Sequence, residues 1–267
     1  QHLILLPLAV LLDNLGAITA LLNGASISVP TDTGLQGAQI NPTRLLGVLN
    51  QSQPHSLILV PQLLQGLLQA ADAGIPLPRS LRFVAVGGGR VAPSLLERAA
   101  KHDLPVFEGY GLSECASVVC LNRPGHNRPG TVGQPLPHVQ IRVADDGEIM
   151  VRGARALGYL GEPPLTADEW PTGDIGKLED GYLNILGRKK NQFITAYGRN
   201  VNPEWVEAEV AAHPAIAQVL VYGEALPVNV ALIVPRSPAF RVTDIEEAIA
   251  QANSRLPDYA RIGPWLT

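Results

Sequence analysis

Two glycine-rich segments stand directly after short apolar stretches, where a backbone can approach a ligand closely. Leu81 to Val86 runs into Gly87-Gly88-Gly89, and Val106-Phe107 runs into a segment that begins at Glu108 and ends at Glu114. Successive glycines leave the backbone unobstructed by side chains, which suits a flat or anionic ligand. A tight strand-to-helix turn explains the three glycines equally well, so this segment alone does not decide between the two.

The second segment adds three side chains of complementary chemistry. Tyr110 lies between Gly109 and Gly111 and is suited to stack on a base. Ser113 is suited to bond a phosphate oxygen, and Glu114 to hold Mg²⁺, a hard cation that takes oxygen ligands. A buried tyrosine beside a helix cap is the alternative for the same residues.

Two further polar segments lie downstream. In Trp170-Pro171-Thr172-Gly173-Asp174, an aspartate follows a glycine turn and can accept hydrogen bonds from two vicinal hydroxyls. The cationic run Gly187-Arg188-Lys189-Lys190 is suited to meet a phosphate or carboxylate. An Asx-type turn and a solvated surface turn are the respective alternatives.

The pattern of predicted helices and strands that must position these residues changes along the chain. Up to residue 120, apolar strands alternate with helical spacings such as that of residues 62–73, which predicts a mostly parallel sheet covered by helices. Residues 121–187 carry short alternating strands and turns, including a predicted hairpin over 139–151, and form a small β subdomain. Residues 188–267 predict a small α+β domain, with helices from Pro203 and from an N-cap at Asp244, whose capping box is completed by Glu247. The predicted fold class is therefore α/β, with part of a large domain followed by a small C-terminal one.

Composition excludes several classes of protein. The 267 residues carry a formal net charge of −4, which disfavours a nucleic-acid-coating role. Charged residues make up only 16% of the chain, and the two cysteines are too few for a disulfide framework. The apolar run Leu3 to Leu12 is too short to span a bilayer and lacks a preceding basic segment, so we expect a core segment of a cytoplasmic protein.

In order and spacing, these segments together resemble the adenylate-forming, or AMP-binding, superfamily. Within this superfamily, the sequence most resembles bacterial long-chain fatty acyl-CoA synthetases (ligases). The matching motifs are Gly87 to Gly89, Tyr110 to Glu114, Gly147-Glu148-Ile149 with Gly158-Tyr159-Leu160, Thr172 to Asp174, and Gly187 to Lys190.

The resemblance implies an enzyme of fatty acid metabolism that uses ATP·Mg²⁺ to convert a hydrophobic carboxylic acid into acyl-AMP and then passes the acyl group to coenzyme A. It implies that the nucleotide is bound by Gly88, Gly89, Glu108, Gly109, Tyr110, Gly111, Ser113, Asp174 and Arg188. Glu114 would hold Mg²⁺ and act in catalysis with Arg188. Lys190 would be the hinge about which the C-terminal domain turns. The implied partners are small molecules, with peripheral membrane contact for a lipid substrate.

Two features of the family pattern are missing from this sequence. No Ser/Thr/Gly-rich stretch ending in Pro-Lys-Gly is present, and no lysine follows Lys190. We therefore expect a fragment cut at both ends, and one nearly inactive in adenylation by itself, because removing one preorganised group typically lowers a rate about 10²–10³-fold. Two other interpretations stay open: a non-catalytic nucleotide- or acyl-binding scaffold, and an enzyme that loads a carrier-protein thiol.

The sequence says little about which carboxylic acid is the substrate. By analogy, Cys115 to Val119 would line the acid pocket, and its small apolar residues suit an alkyl or aryl acid. Ordinary strand packing explains the same residues.

Overall fold

The computed structural model describes residues 1–33, 35–36, 39–164 and 166–267. The chain divides into two compact units, an N-terminal unit (residues 1–91, 95–172 and 176–185) and a C-terminal unit (residues 92–94, 173–175 and 186–267). The predicted mixed α/β class is confirmed, while the predicted domain limits 1–120, 121–187 and 188–267 stay a prediction.

The first half of the chain alternates strands and helices. Its strands are β1 (His2–Leu3), β2 (Ile27–Ser28), β3 (Leu35–Gln36), β4 (Gln39–Ile40), β5 (Ser56–Leu59), β6 (Phe83–Val86), β7 (Val106–Tyr110), β8 (Cys120–Leu121) and β9 (Gln134–Pro135). Its helices are α1 (Leu11–Leu22), α2 (Pro42–Ser52), α3 (Pro61–Asp72) and α4 (Pro93–Lys101).

A seven-stranded sheet in the order β2-β1-β5-β6-β7-β8-β9 forms the centre of the N-terminal unit. Strands β1, β2, β5, β6 and β7 pair in parallel, and β8 and β9 add antiparallel edges. Helix α3 begins at a proline and buries a stripe of leucines, Leu63, Leu64, Leu67 and Leu68, against this core. Burying one such side chain stabilises the fold by about 1.5–3 kcal/mol.

The second half of the chain begins with short antiparallel strands. The strands are β10 (Gln140–Val143), β11 (Glu148–Arg152), β12 (Glu169–Glu179), β13 (Tyr182–Arg188), β14 (Phe193–Ile194), β15 (Asn200–Val201), β16 (Ile216–Tyr222), β17 (Asn229–Pro235) and β18 (Ile262–Leu266), and the helices are α5 (Pro203–Ala211) and α6 (Val242–Arg255). The predicted hairpin is present as β10 and β11, in the register Val143 to Ile149.

Helices α5 and α6 cover one face of the three-stranded sheet β16-β17-β18, and share its core through residues such as Val206, Ile233 and Ile249. The predicted N-cap at Asp244 is wrong. Helix α6 begins one turn earlier, with Arg241 as N-cap, and Asp244 occupies the third helical position, where its carboxylate accepts the Arg241 amide at 2.6 Å. Glu247 instead accepts the side-chain amide of Gln251. Among the helices of the described residues, none is long and apolar enough to cross a membrane.

Candidate functional site

The two glycine segments lie side by side at the carboxyl ends of two central strands of the large sheet. Strands β6 and β7 are parallel neighbours in the register Val86 to Glu108, so the turns that follow them leave from the same edge. A side-chain carbon at Gly87 would lie 3.0 Å from the Gly109 carbonyl oxygen. In open α/β sheets, ligands bind at this carboxyl edge. The N-terminal unit thus brings Gly88 and Gly89 together with the segment that holds Gly109.

A tight turn after β7 sets the direction of the side chains in that segment. The Leu112 carbonyl accepts the amides of Cys115 and Ser117 at 3.0 and 3.1 Å. A methyl group at Gly111 would overlap the Ser117 carbonyl, so the close approach of the two backbones requires glycine there. The turn leaves Ser113 exposed, and Tyr110 and Glu114 half-buried.

Glu114 has a side-chain partner that the sequence did not predict. The Tyr159 hydroxyl donates to Glu114 Oε1 at 2.8 Å, and the Glu114 carbonyl accepts the Ala156 amide at 2.6 Å. The hydrogen bond to the carboxylate raises the pKa of Tyr159. The Tyr159 ring also packs edge-on against Trp170, with ring centroids 5.8 Å apart. The residue lies in the Gly158-Tyr159-Leu160 motif, but nothing in that motif indicates its partner.

Glu108 points into the N-terminal unit and has only 8% of its surface exposed. Its Oε2 accepts the Gly130 amide at 3.2 Å, and its carbonyl accepts the Asn122 amide at 2.9 Å. Burial raises the pKa of its carboxyl to about 7, against the opposing effects of the Gly130 amide and the Arg90 charge. This geometry ties Glu108 to the 122–131 segment.

Asn122 also holds the 122–131 segment in place, and no sequence pattern indicated this role. It is fully buried, donates from Nδ2 to the Thr131 carbonyl at 2.6 Å, and accepts the Arg128 amide at 2.9 Å through Oδ1. The asparagine thereby satisfies two backbone groups of a turn that otherwise has little regular structure.

The C-terminal unit brings Asp174 and Arg188 together. Asp174 has 4% of its surface exposed, and its Oδ1 lies 3.0 Å from Nε of Arg188, whose side chain is half exposed. The Lys189 amide donates to the Gly173 carbonyl at 2.8 Å, which holds the two turns against each other. Lys190, the predicted hinge, is exposed.

Asn202 supports the segment that carries Arg188. It is the N-cap of α5, where its Oδ1 accepts the Glu204 amide at 3.1 Å, and its Nδ2 donates to the Leu186 carbonyl. Gly187, with φ of 151°, leaves no space for a side-chain carbon beside Asn202. The Asn202-Pro203 pair is a typical helix start, so the sequence carried a signal for the cap but none for the contact with Leu186.

The segment 115–119 divides between the core and the surface. Cys115 and Val119 are fully buried in a core cluster with Trp170, while Ala116 is exposed. Burial raises the pKa of the Cys115 thiol to about 11. Ordinary packing therefore accounts for Cys115 and Val119.

Across the described residues, no group of three or more His, Cys, Asp or Glu side chains is placed to hold a metal ion. A cation at Glu114 would therefore depend on ligand oxygens and water for most of its coordination. Mg²⁺ is commonly bound in this way, through one or two carboxylates and substrate phosphates.

The sequence matches the AMP-binding enzyme family over residues 1–160 and the AMP-binding enzyme C-terminal domain over residues 190–266. The chain belongs to the AMP-binding enzyme family.

Two relatives illustrate the range within this family. The chain is 44% identical to the long-chain-fatty-acid–CoA ligase FadD15 of Mycobacterium bovis over 144 residues, which are 51% of this chain and 24% of that protein. It is 29% identical to the 2-succinylbenzoate–CoA ligase of Staphylococcus aureus over 198 residues, which are 69% of this chain and 39% of that protein. The matched regions thus cover well under half of either relative.

Solved structures share the fold over the whole chain. The anthranilate CoA ligase AuaEII in complex with anthranoyl-AMP superposes with a TM-score of 0.83 at 21% identity, over 99% of this chain and 55% of that one. The o-succinylbenzoate CoA synthetase MenE of Bacillus subtilis, in complex with ATP and magnesium, superposes with a TM-score of 0.77 at 23% identity, over 100% of this chain and 57% of that one.

Proposed function

We propose that the protein is an ATP-dependent acyl-CoA ligase that activates a hydrophobic carboxylic acid as acyl-AMP and transfers the acyl group to coenzyme A. The observation that carries this proposal is the close approach of Gly87 to the Gly109 carbonyl, which places two glycine-rich segments side by side at the carboxyl ends of β6 and β7. Such an edge offers backbone groups to a nucleotide. Membership of the AMP-binding enzyme family gives the nucleotide its identity.

In the N-terminal unit, the residues of these turns divide the work of nucleotide binding. Gly88, Gly89, Gly109 and Gly111 provide the backbone of the adenine slot, and the half-buried Tyr110 supplies a ring face. Ser113 is exposed and its hydroxyl is suited to donate to the α-phosphate. Glu108 lies beside this slot in the chain and accepts the Gly130 amide through its side chain.

In the C-terminal unit, Asp174 binds the two ribose hydroxyls and Arg188 orients the carboxylate that does so. Hydrogen bonds to a charged group are worth about 1.5–3 kcal/mol each, so two such bonds to this carboxylate would contribute strongly to nucleotide affinity. Arg188 also places a positive charge 3.0 Å from the aspartate and helps stabilise developing negative charge during acyl transfer. Lys190 marks the hinge of the domain movement.

Glu114 fits the role of a magnesium ligand because it is a half-buried carboxylate on a fixed turn. When bound, the cation neutralises phosphate charge. The protein's own part is to hold the Glu114 oxygens in place and to keep Ser113 within reach of the same phosphate.

For the acid, we favour a long-chain fatty acid, because relatives with 43–44% identity are long-chain-fatty-acid–CoA ligases. An aromatic acid is the second candidate, favoured by the longer alignment with 2-succinylbenzoate–CoA ligases. Coenzyme A is the proposed acceptor, since the relatives are CoA ligases, and a carrier-protein thiol is the alternative.

Nucleotide binding is tested first, by calorimetric titration of the 267-residue chain with AMP and with a non-hydrolysable acyl-adenylate analogue. We expect both to bind, the analogue more tightly because it adds the acyl contacts. Failure of both ligands to bind would remove the nucleotide role from this chain and favour a scaffold.

The substrate is tested on the full-length protein by acid-dependent exchange of pyrophosphate into ATP. We expect exchange with dodecanoate or hexadecanoate. Exchange with 2-succinylbenzoate but not with the fatty acids would move the proposal to the aromatic acid. Product analysis with CoA as acceptor then separates CoA ligation from carrier loading.

A further inference from the structure

The loop around Tyr159 contacts the proposed magnesium ligand at two points. The Tyr159 hydroxyl donates to Glu114 Oε1 at 2.8 Å, and the Ala156 amide donates to the Glu114 carbonyl at 2.6 Å. One bond fixes the backbone of the glutamate and the other fixes its carboxylate. The two bonds come from residues close together on one segment, so the segment holds Glu114 as a unit.

The tyrosine ring is itself held in place. It packs edge-on against Trp170 at a centroid distance of 5.8 Å and an interplanar angle of 71°, while 54% of the residue remains exposed. Trp170 has only 4% of its surface exposed and belongs to a core cluster of the N-terminal unit. The hydroxyl is therefore aimed from a rigid support, although the phenol reaches solvent.

A carboxylate on a flexible side chain loses rotamer freedom when it binds a cation, and fixing it beforehand reduces that loss. A hydroxyl that donates to Oε1 leaves the carboxylate charged and allows Oε2 to coordinate a cation, because a carboxylate has about four lone-pair positions. Second partners of this kind orient the ligands of metal sites in general.

We propose that Tyr159 is a positioning residue that orients the Glu114 carboxylate for the divalent cation bound with the nucleotide. This inference rests on the proposed function, since it takes Glu114 as the cation ligand. Tyr159 acts through Glu114 and has no direct part in the chemistry.

The test measures Mn²⁺ affinity in the presence of a non-hydrolysable ATP analogue, by electron paramagnetic resonance, on the 267-residue chain. The Tyr159→Phe variant keeps the ring on Trp170 and removes only the hydroxyl. We expect it to bind Mn²⁺ about 10-fold more weakly, as the loss of one charged hydrogen bond predicts, and to bind the analogue without metal as the unaltered chain does.

Tyr222→Phe is the matched control. Tyr222 has the same exposed fraction, 54%, and also contacts an aromatic ring, that of Phe193, but lies in the C-terminal unit. It should bind Mn²⁺ like the unaltered chain.

Hydrogen exchange at the Ala156 amide separates positioning from general support of the loop. We expect Tyr159→Phe to keep this amide protected while Mn²⁺ affinity falls. Unchanged Mn²⁺ affinity would overturn the inference and leave the proposed function standing. A fall in affinity together with rapid exchange at Ala156 would also overturn it, because the loop itself would then have opened. If the unaltered chain bound no nucleotide, the proposed function and this inference would fall together.

Discussion

Glu108 in the N-terminal unit and Asp174 in the C-terminal unit are both buried acids next to a glycine, but their surroundings differ. Glu108 accepts the Gly130 backbone amide through its side chain, and burial raises the pKa of its carboxyl to about 7. Asp174 Oδ1 instead lies 3.0 Å from Nε of Arg188. The group that each acid contacts therefore decides what the acid does, and its position beside a glycine in the sequence does not.

The comparison separates two tasks. The carboxylate of Asp174, which we propose accepts hydrogen bonds from ligand hydroxyls, has a cationic side chain beside it. Glu108 instead accepts a backbone amide and holds the segment around Gly130. Four substitutions test this difference.

Gly111→Ala would break the turn that follows Glu108. The new methyl group would overlap the Ser117 carbonyl, and a backbone atom cannot rotate away. We expect a loss of about 3 kcal/mol in the free energy of unfolding, the upper end of the range for overpacking. Urea unfolding followed by circular dichroism measures it.

Gly47→Ala is the matched control for this change. Gly47 lies in α2, and a side-chain carbon added there would meet no atom within 4 Å, so alanine should leave the stability unchanged or raise it by up to about 1 kcal/mol. Equal effects of the two substitutions would show that the close approach at Gly111 does not constrain the turn.

Asp174→Asn would remove the carboxylate charge from the buried acid of the C-terminal unit while keeping the shape of its side chain. We expect AMP affinity to fall about 100-fold, because two ribose hydroxyls lose a charged acceptor. Calorimetric titration measures the affinity. The control is Glu179→Gln, an exposed acid on the same strand, β12, which should bind AMP normally. AMP binding that is equal in Asp174→Asn and the control would refute the ribose role.

Glu108→Gln tests the difference between the two acids through the pH dependence of stability. Because the folded-state pKa is raised from 4.5 to about 7, the native state holds more protons than the unfolded state between these values. The contribution of Glu108 to stability is therefore fully present below pH 4.5 and is lost as the pH rises through 7. The glutamine variant cannot ionise, so we expect its stability relative to that of the unaltered chain to rise by about 2.5 kcal/mol between about pH 5 and about pH 8.

Urea unfolding at these two pH values checks this sign, with Glu179→Gln as the exposed-acid control. A variant that loses stability at the higher pH would mean that the ionised carboxylate is needed to hold Gly130. In that case Glu108 and Asp174 would perform the same task.

Sequence patterns were sufficient where the physical cause is local. The leucine spacing of residues 62–73 predicts α3, and the apolar stretches before the two glycine segments predict the strands β6 and β7. The bond between Tyr159 and Glu114 joins residues 45 apart, so no local pattern could indicate it. The inward direction of Glu108 likewise depends on the Gly130 amide, which the chain brings back 22 residues later.

Asn202→Ala tests the support of Arg188 and should have the smallest effect. Asn202 accepts the Glu204 amide as a helix cap and donates to the Leu186 carbonyl, a short step before Arg188. Loss of such a cap destabilises a protein by about 1 kcal/mol. If the Asp174–Arg188 pair depends on this support, AMP affinity should fall a few-fold along with the stability.

Asn253→Ala is the control for this change, because Asn253 makes similar side-chain bonds to Ile262 elsewhere in the C-terminal unit. If both variants lose stability but only Asn202→Ala lowers AMP affinity, Asn202 supports the proposed ribose contact of Asp174. An equal effect on AMP affinity in the two variants would instead show that Asp174 and Arg188 need only a folded unit around them.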